Sequence, residues 1–414
     1  MTEILVVNSG SSSFKYQLIE METERTLASG LVERIGEVSG HCIHRAGARG
    51  SADASTAPSA FERTLAIPDH TAGFRVMLDA FGEHGPSLDR HPPIAVGHRV
   101  VHGGKRFFEP TMITPRVKVD IQDLSELAPL HNPANLQGIE AAEEAFPDLP
   151  HVAVFDTAFH QTLPPAAYTY AIDADLAERY RVRRYGFHGT SHKFVSEAAA
   201  AFLRRPLTEL KQIVLHLGNG ASACAVDGGI SVETSMGMTP LEGLVMGTRS
   251  GDVDPAVLLH LHRKAGLDVD DFDELLNRRS GLLGLSGRRD MRDVTDAAGS
   301  GDDAAQLTLD VYVHRLKQYI GGYYAQLGRL DAIVFTAGVG ENSAVVRAGA
   351  LAGLEELGIR LDPERNEAAS RAIRVISADD SRVSVLVVPT DEELEIARQT
   401  LAVVLPDFRG AVRS

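Results

Sequence analysis

Apolar and polar positions alternate in short bursts from the first residues onward. Ile4-Leu5-Val6-Val7 is a β-favouring run, Asn8-Ser9-Gly10-Ser11-Ser12-Ser13 is small and polar, and Phe14-Lys15-Tyr16-Gln17-Leu18-Ile19 alternates again. The pattern predicts a β-hairpin whose tip is almost all Gly and Ser. The layout returns about two hundred residues later, where Ile213–Leu217 runs into Gly218-Asn219-Gly220 and out along Ala221–Val226. Asp227-Gly228-Gly229 then turns tightly into Ile230-Ser231-Val232-Glu233. A third glycine turn is expected after the apolar run Ala332–Thr336, at Ala337-Gly338-Val339-Gly340-Glu341-Asn342-Ser343. This recurrence predicts two related domains, each bringing a hairpin of this kind to a shared cleft.

Between these hairpins, Thr26 to Ile35 adds a strand and Thr71 to Gly82 a helix. Ile94–Val101 reads as a buried strand entering the turn Gly103-Gly104, and Val152–Phe155 as another ending on Asp156. Asn132 is placed to cap a helix with Pro133 at its first position, ending near Phe146. Asp254-Pro255 opens a helix to Gly266, and Asp362-Pro363 opens another. A long helix is expected from Asp303 to Gln326, loosened at Gly321-Gly322, with Leu307, Val311, Tyr319 and Ile320 on a core or interface stripe. Thr390 and Glu393 form a capping box for the last helix, which leaves Glu392 the freer carboxylate. Ala46 to Pro58 has the Ala/Ser/Gly-rich composition of a surface loop.

With 414 residues and 44% apolar content, the chain is long enough for two domains. A net charge of −15 without a basic stretch argues against nucleic acid, so any phosphate site must be a local basic pocket. Cys42 and Cys224 match no metal or redox spacing and suit a reducing cytoplasm. A strand beginning by Ile4 leaves no room for a signal peptide, and no apolar run nears the ~18–20 residues that span a bilayer. A soluble cytoplasmic protein is expected.

Gly/Ser turns expose backbone N–H groups and hydroxyls, the groups that hold phosphate, and Lys15 adds a cation. A single such turn is more often an ordinary hairpin tip, but its return changes the balance. Arg99 is a charge inside an apolar strand, which either snorkels or pairs with a carboxylate. Arg249 lies in the glycine-punctuated loop Ser235–Asp252, and His131 precedes a positive helix end. Asp156 ends a strand, the edge where ligands bind in α/β folds. His188 and His192 have a zinc-like spacing, but no Glu stands between them and no third ligand is indicated. No Walker motif occurs, and Gly338-x-Gly340 lacks the third glycine of a dinucleotide fingerprint, Ser343 standing there. Glycine turns, arginines, histidines and carboxylates suited to Mg²⁺ together fit phosphoryl transfer, which needs positioning and charge neutralisation more than a nucleophilic side chain.

The segments VVNSGSSSFKY (6–16), GHRVVHGG (97–104), PLHNPAN (129–135), VFDTAFH (154–160), RRYGFHGTSH (183–192), HLGNGAS (216–222), MTPLEGLVMGTRSGDVDP (238–255), FTAGVGENS (335–343) and PTDEELEIA (389–397) resemble, in order, those of the acetate kinase family. The resemblance implies an α/β fold of duplicated actin-like ATPase (ribonuclease H-like) domains with a central cleft. It implies residues 1–150, completed by a helix at 390–414, as one domain, and residues 151–389 as the other, with most nucleotide contacts and the dimer interface. The reaction implied is reversible, direct in-line phosphoryl transfer from ATP to acetate, giving ADP and acetyl phosphate, with Mg²⁺ or Mn²⁺ in a homodimer. Asn8 and Glu392 would serve the metal, with Ser11, Ser13 and Lys15 near the phosphates. Arg99 and Arg249 would face the carboxylate and the moving phosphoryl group, which His188 and Asn219 would also stabilise, His131 lying close. Val101, Leu130, Phe187 and Pro240 would enclose the acetate methyl. Nucleotide contacts would come from His216, Leu217, Gly218, Asn219 and Gly220, from Asp290, Met291 and Arg292, and from Gly338, Val339, Gly340, Glu341 and Asn342.

Asp156 is implied to be catalytic, but carboxyl pKa values near ~4 mean that acetate needs no general base. A positioning role, orienting an arginine or metal-bound water, is therefore expected. The stretch Ser286–Asp293 resembles the family's adenosine-side loop but carries two additional arginines and is a residue shorter, a departure that bears on base preference. Three rivals stand beside this reading. A kinase for propionate or butyrate keeps every motif, since one methylene discriminates by only ~1–3 kcal/mol. An actin-like ATPase switch has no use for Arg99 and Arg249. A transcription regulator would need a DNA-binding segment ahead of the first hairpin, and none is expected.

Overall fold

The computed structural model describes residues 2–47 and 60–406. From residue 48 onward, the loop expected at Ala46–Pro58 lies outside the described residues. The chain forms two compact units, Met1–Ala158 with Asp391–Ser414, and Phe159–Thr390.

The first unit is built on an eight-stranded sheet in the order β5-β4-β3-β2-β1-β6-β8-β7. Its strands are β1 Glu3–Ser9, β2 Ser13–Glu20, β3 Arg25–Glu33, β4 Gly40–Ala46, β5 Ala60–Leu65, β6 Pro93–Val100, β7 Thr111–Met112 and β8 His151–Phe155. The predicted first hairpin is present, with Asn8 opposite Lys15 and Ser9 opposite Phe14. β1, β6 and β8 run parallel at the centre. Successive β1 side chains point to opposite faces, and both faces are covered. Leu5 and Val7 join Phe14, Phe74 and Phe81 in one core layer, while Ile4 and Val6 join Val154, Ile396 and Leu401 in the other. The second layer is closed by the last helix, Glu392–Val404. Gly97 allows that approach, because a Cβ there would lie 2.3 Å from Thr400 Oγ1.

The second unit carries a six-stranded sheet in the order β11-β10-β9-β12-β14-β13. Here β9 is Lys211–Leu217, β10 Ala221–Asp227, β11 Ile230–Thr234, β12 Ala332–Thr336, β13 Arg374–Val375 and β14 Ser384–Val387. β9, β12 and β14 are parallel, whereas β9, β10 and β11 form an antiparallel meander. The run β11-β10-β9-β12-β14 repeats the order and directions of β3-β2-β1-β6-β8. The duplication expected from the two hairpins is thus a duplication of topology. Among the described residues, no helix is long and apolar enough to cross a membrane.

Four local expectations are corrected. The third glycine turn is instead the helix Ala337–Asn342, which follows β12 directly. Glu341 reaches back to accept the Ala337 N–H, and Arg347 donates to the Gly340 and Glu341 carbonyls, so both ends of this short helix are satisfied. Asn132 is not a cap. The helix Asn132–Ala145 begins with His131 at the capping position, and the Asn132 amide makes two bonds to the His102 backbone. The capping residue of the last helix is Asp391, which accepts from Leu394 N at 3.0 Å, because the Thr390 hydroxyl is engaged with Ser191. The long helix Asp303–Leu327 is continuous through Gly321-Gly322, and its buried stripe includes Ala305, Leu309, Tyr312, Leu316 and Ile320. Leu307 is 59% exposed and lies off that stripe.

Candidate active site

In the first unit, the carboxyl ends of β1, β6 and β8 place Asn8, Arg99 and Asp156 side by side. The Arg99 guanidinium contacts the Asp156 carboxylate and donates to Asn8 Oδ1 at 3.4 Å. Burial alone would depress this guanidinium, but the Asp156 and Glu392 carboxylates hold it above its ordinary value. Burial pushes the Glu392 carboxyl up to about 7, against the opposing pull of Arg99. Glu392 Oε1 and Arg99 Nε are both buried without a hydrogen-bond partner among the described residues. A cavity of about 310 Å³ gathers Asn8, Ser11, Ser13, Lys15, Arg99, Val101, Leu130 and His131, all named from sequence. Sequence reasoning missed Asn135, which ties the hairpin to the strand by donating to Ser9 O at 2.6 Å and accepting from Val101 N at 3.0 Å. Its position two residues past Pro133 in PLHNPAN was the available signal. Among the described residues, no three His, Cys, Asp or Glu side chains converge on one metal position.

In the second unit, the tip Gly218-Asn219-Gly220 joins β9 to β10, with Gly218 N donating to Gly220 O at 3.0 Å. A Cβ on Gly220 would lie 3.4 Å from Arg249 Nη1 and 3.6 Å from His188 Nε2, so both side chains converge on this turn. Arg249 donates to Pro240 O at 3.1 Å and makes no ion pair among the described residues; burial lowers its pKa. His188 begins the helix Gly189–Leu203 with a left-handed backbone, φ 57°. Its ring stacks on His216 at 4.1 Å, and its Nδ1 lies 2.8 Å from Ser222 Oγ. His192 Nε2 lies 2.7 Å from the same hydroxyl. Phe187 is buried, and its carbonyl accepts from His160 Nε2 at 2.9 Å.

A larger cavity of about 760 Å³ brings together Gly218, Asn219, Asp290, Met291, Arg292, Gly338, Val339 and Asn342. His216, Leu217, Gly220, Gly340 and Glu341 are not on its wall; Glu341 is turned back toward Ala337 N and Thr390 N. The wall also includes Leu282, Thr295 and Tyr312, which sequence reasoning did not name, together with Gly247 of the glycine-punctuated loop and Arg289. Gly247 was detectable as a glycine in the MGTR segment, and a Cβ there would lie 2.0 Å from Asn219 Oδ1. Asp290 caps the helix Met291–Gly299, and its bonds to Arg292 hold the carboxyl down at about 2. Of the two additional arginines, Arg289 lines the cavity while Arg288 pairs with Asp302 at 3.0 Å.

The acetokinase family model matches residues 3–398. The chain belongs to that family. As an acetokinase it is a phosphotransferase with a carboxyl acceptor. The chain is 69% identical to the acetate kinase of Leifsonia xyli subsp. xyli over 404 residues, covering 98% of this chain and 99% of that one. The crystal structure of Porphyromonas gingivalis acetate kinase is similar with a TM-score of 0.91 at 41% identity, covering 98% of this chain and all of that one. A propionate kinase from Francisella tularensis subsp. tularensis is similar at 0.88 and 40%, covering 97% and 99%. The two sheets of repeated order are accordingly those of a duplicated actin-like kinase fold.

Proposed function

We propose that this acetokinase transfers the γ-phosphoryl group of ATP to acetate, reversibly and by direct in-line displacement. The observation that carries the reading is the pairing of Arg99 with Asp156 at the carboxyl ends of β6 and β8, Arg99 lining a small cavity together with the phosphate-type donors Ser11, Ser13 and Lys15. Acetate is a carboxylate at neutral pH and attacks without a base. The barrier is therefore mainly the approach of two anions, and fixed cations lower it. Arg99 is assigned to the acetate carboxylate and Arg249, with His188 and Asn219, to the phosphoryl group in flight. Asp156 holds Arg99 in place. Val101 and Leu130 offer apolar surface beside Arg99 for the methyl group; the same role for Phe187 and Pro240 rests on the family resemblance. The cavity of about 760 Å³ is of a size to hold a nucleotide, with Gly338 and Asn219 on its phosphate side and Arg289 available to the base. For His216, Leu217, Gly220, Gly340 and Glu341, a nucleotide contact rests on the family resemblance.

The donor set fits Mg²⁺. Glu392 Oε1 is buried and unpartnered, and Asn8 adds an amide oxygen, which makes a sparse all-oxygen site. Mg²⁺ is commonly held by one or two carboxylates, waters and substrate phosphates, and Mn²⁺ takes similar ligands. When bound it would neutralise charge on the phosphate oxygens. Association of two copies is proposed through the helix Pro255–Ala265, which has no buried residue and exposes Val257 and Leu259. A cytoplasmic location accords with two buried free cysteines.

Hydroxylamine trapping of acyl phosphate with acetate, propionate and butyrate, at saturating MgATP, tests the substrate. Strong turnover on acetate that falls with chain length is expected. The similarity to a propionate kinase supports a second reading, and equal or better turnover on the longer acids would decide for it. No acyl phosphate from any acid would end the proposal.

A further inference from the structure

Ser222 and His192 are both fully buried, and one serine hydroxyl serves two imidazoles. Ser222 Oγ lies 2.8 Å from His188 Nδ1 and 2.7 Å from His192 Nε2. The hydroxyl has one proton, so it donates to one ring and accepts from the other. His192 Nδ1 decides the direction, being buried with no hydrogen-bond partner among the described residues. Were Ser222 to donate to His192 Nε2, the His192 proton would sit on Nδ1 as a buried, orphaned N–H. Such groups are rare and cost about 1–3 kcal/mol. In the opposite direction, His192 Nε2–H donates to Ser222, and Nδ1 is left only with an unused lone pair. Burial and the neighbouring His160 and His216 also keep His192 neutral.

We infer that Ser222 is a positioning residue that fixes His188 as a neutral imidazole with its proton on Nε2, through the relay His192 Nε2–H to Ser222 Oγ–H to His188 Nδ1. The nitrogen thus made a donor is the one beside the Gly220 turn, to which Arg249 Nη1 also comes close. The stacked His216 is held separately, with its Nδ1 2.8 Å from Ser191 Oγ. An imidazolium at His188 would require Ser222 to reverse and would strand the His192 proton. His188 therefore offers the phosphoryl group a fixed neutral N–H donor, and the arginines supply the cationic charge. The catalytic consequence rests on the role proposed for His188; the tautomer does not.

Two measurements separate these. In ¹⁵N-histidine-labelled full-length protein at pH 7, with His188 assigned by comparison with His188→Asn, the expected spectrum has a pyridine-type Nδ1 and a pyrrole-type Nε2. Ser222→Ala should mix the tautomers, as should His192→Leu, whereas His192→Gln keeps a donor toward Ser222 and should retain them. The second pair serves if Ser222→Ala does not fold. In kinetics, Ser222→Ala should lower kcat roughly ten- to hundredfold with both KM values within about twofold, and should add nothing in a His188→Ala background. A pyrrole-type His188 Nδ1 in the parent protein, or His192→Leu leaving the tautomer unchanged, would overturn the relay. An intact tautomer in a protein that makes no acyl phosphate would instead defeat the proposed function and leave the relay standing.

Discussion

Arg99 and Arg249 carry the same formal charge in opposite electrostatic settings. Arg99 is matched by Asp156, whose side chain is 1% exposed, and by the Glu392 carboxylate. The Arg249 side chain is desolvated and, among the described residues, bonded only to a carbonyl and a thioether. Removing Arg99 strands a buried carboxylate, a change that typically costs about 3–5 kcal/mol; removing Arg249 relieves a buried cation. Arg99→Ala should therefore lower both turnover and melting temperature, whereas Arg249→Ala should lose a hundredfold or so in kcat with a melting temperature unchanged or raised. Kinetics with parallel calorimetry checks this. Equal destabilisation by the two substitutions would refute the distinction, and near-normal turnover in either would remove that arginine from the site. Glu392→Gln should chiefly weaken the dependence of turnover on Mg²⁺, read from a metal titration at fixed ATP.

At the level of elements, the closing helix shows where local patterns stop being sufficient. Thr390, Asp391 and Glu393 all have the chemistry of a helix start, and only the engagement of the Thr390 hydroxyl with Ser191 makes Asp391 the cap. Asp391→Ala should cost about 1 kcal/mol, while Glu393→Gln should change the urea midpoint little; the reverse order would restore the Thr390/Glu393 box. The same helix lies against Gly97, so Gly97→Ala should destabilise by about 1–3 kcal/mol through overpacking. Thr400 Oγ1 is buried and unpartnered, so adding Thr400→Ala should recover most of that loss. A Gly97→Ala protein as stable as the parent would show that the helix simply shifts. Hairpins and core strands were legible in the sequence because their period and turn residues are local, as in Val6–Tyr16 and Leu215–Ala225. The helix Ala337–Asn342 was not, since its glycines read as a turn until Arg347 and Glu341 satisfy its ends. The site was legible where strand ends carry it, as with Asn8, Arg99 and Asp156. It was hidden where packing carries it, as with Ser222, whose part depends on two imidazoles brought to one hydroxyl.

Across the whole molecule, the duplicated sheets bury histidines that must stay neutral for the chain to fold. His98 on β6 bonds His151 on β8 at 2.9 Å, His192 lies on the helix Gly189–Leu203, and burial drives His98 and His192 well below the usual imidazole range. Their pKa is depressed in the folded state, so the unfolded chain takes up the proton first. The stability they allow is complete above the unfolded value near ~6.5 and is lost as pH falls below it, by about 1.4 kcal/mol per pH unit for each histidine until its folded value is reached. Glu392, pushed up to about 7, works in the opposite sense, since its ionisation destabilises the unliganded fold as pH rises. The net slope of the parent protein therefore mixes the two, and the difference between proteins isolates the histidines. Urea midpoints measured from pH 7.5 to 5 should fall less steeply in His98→Gln than in the parent, by about one proton's worth of slope, whatever the offset at pH 7.5. An identical slope would mean that His98 takes up its proton in the folded state without penalty, and that the buried pair with His151 is not what makes the first unit sensitive to acid.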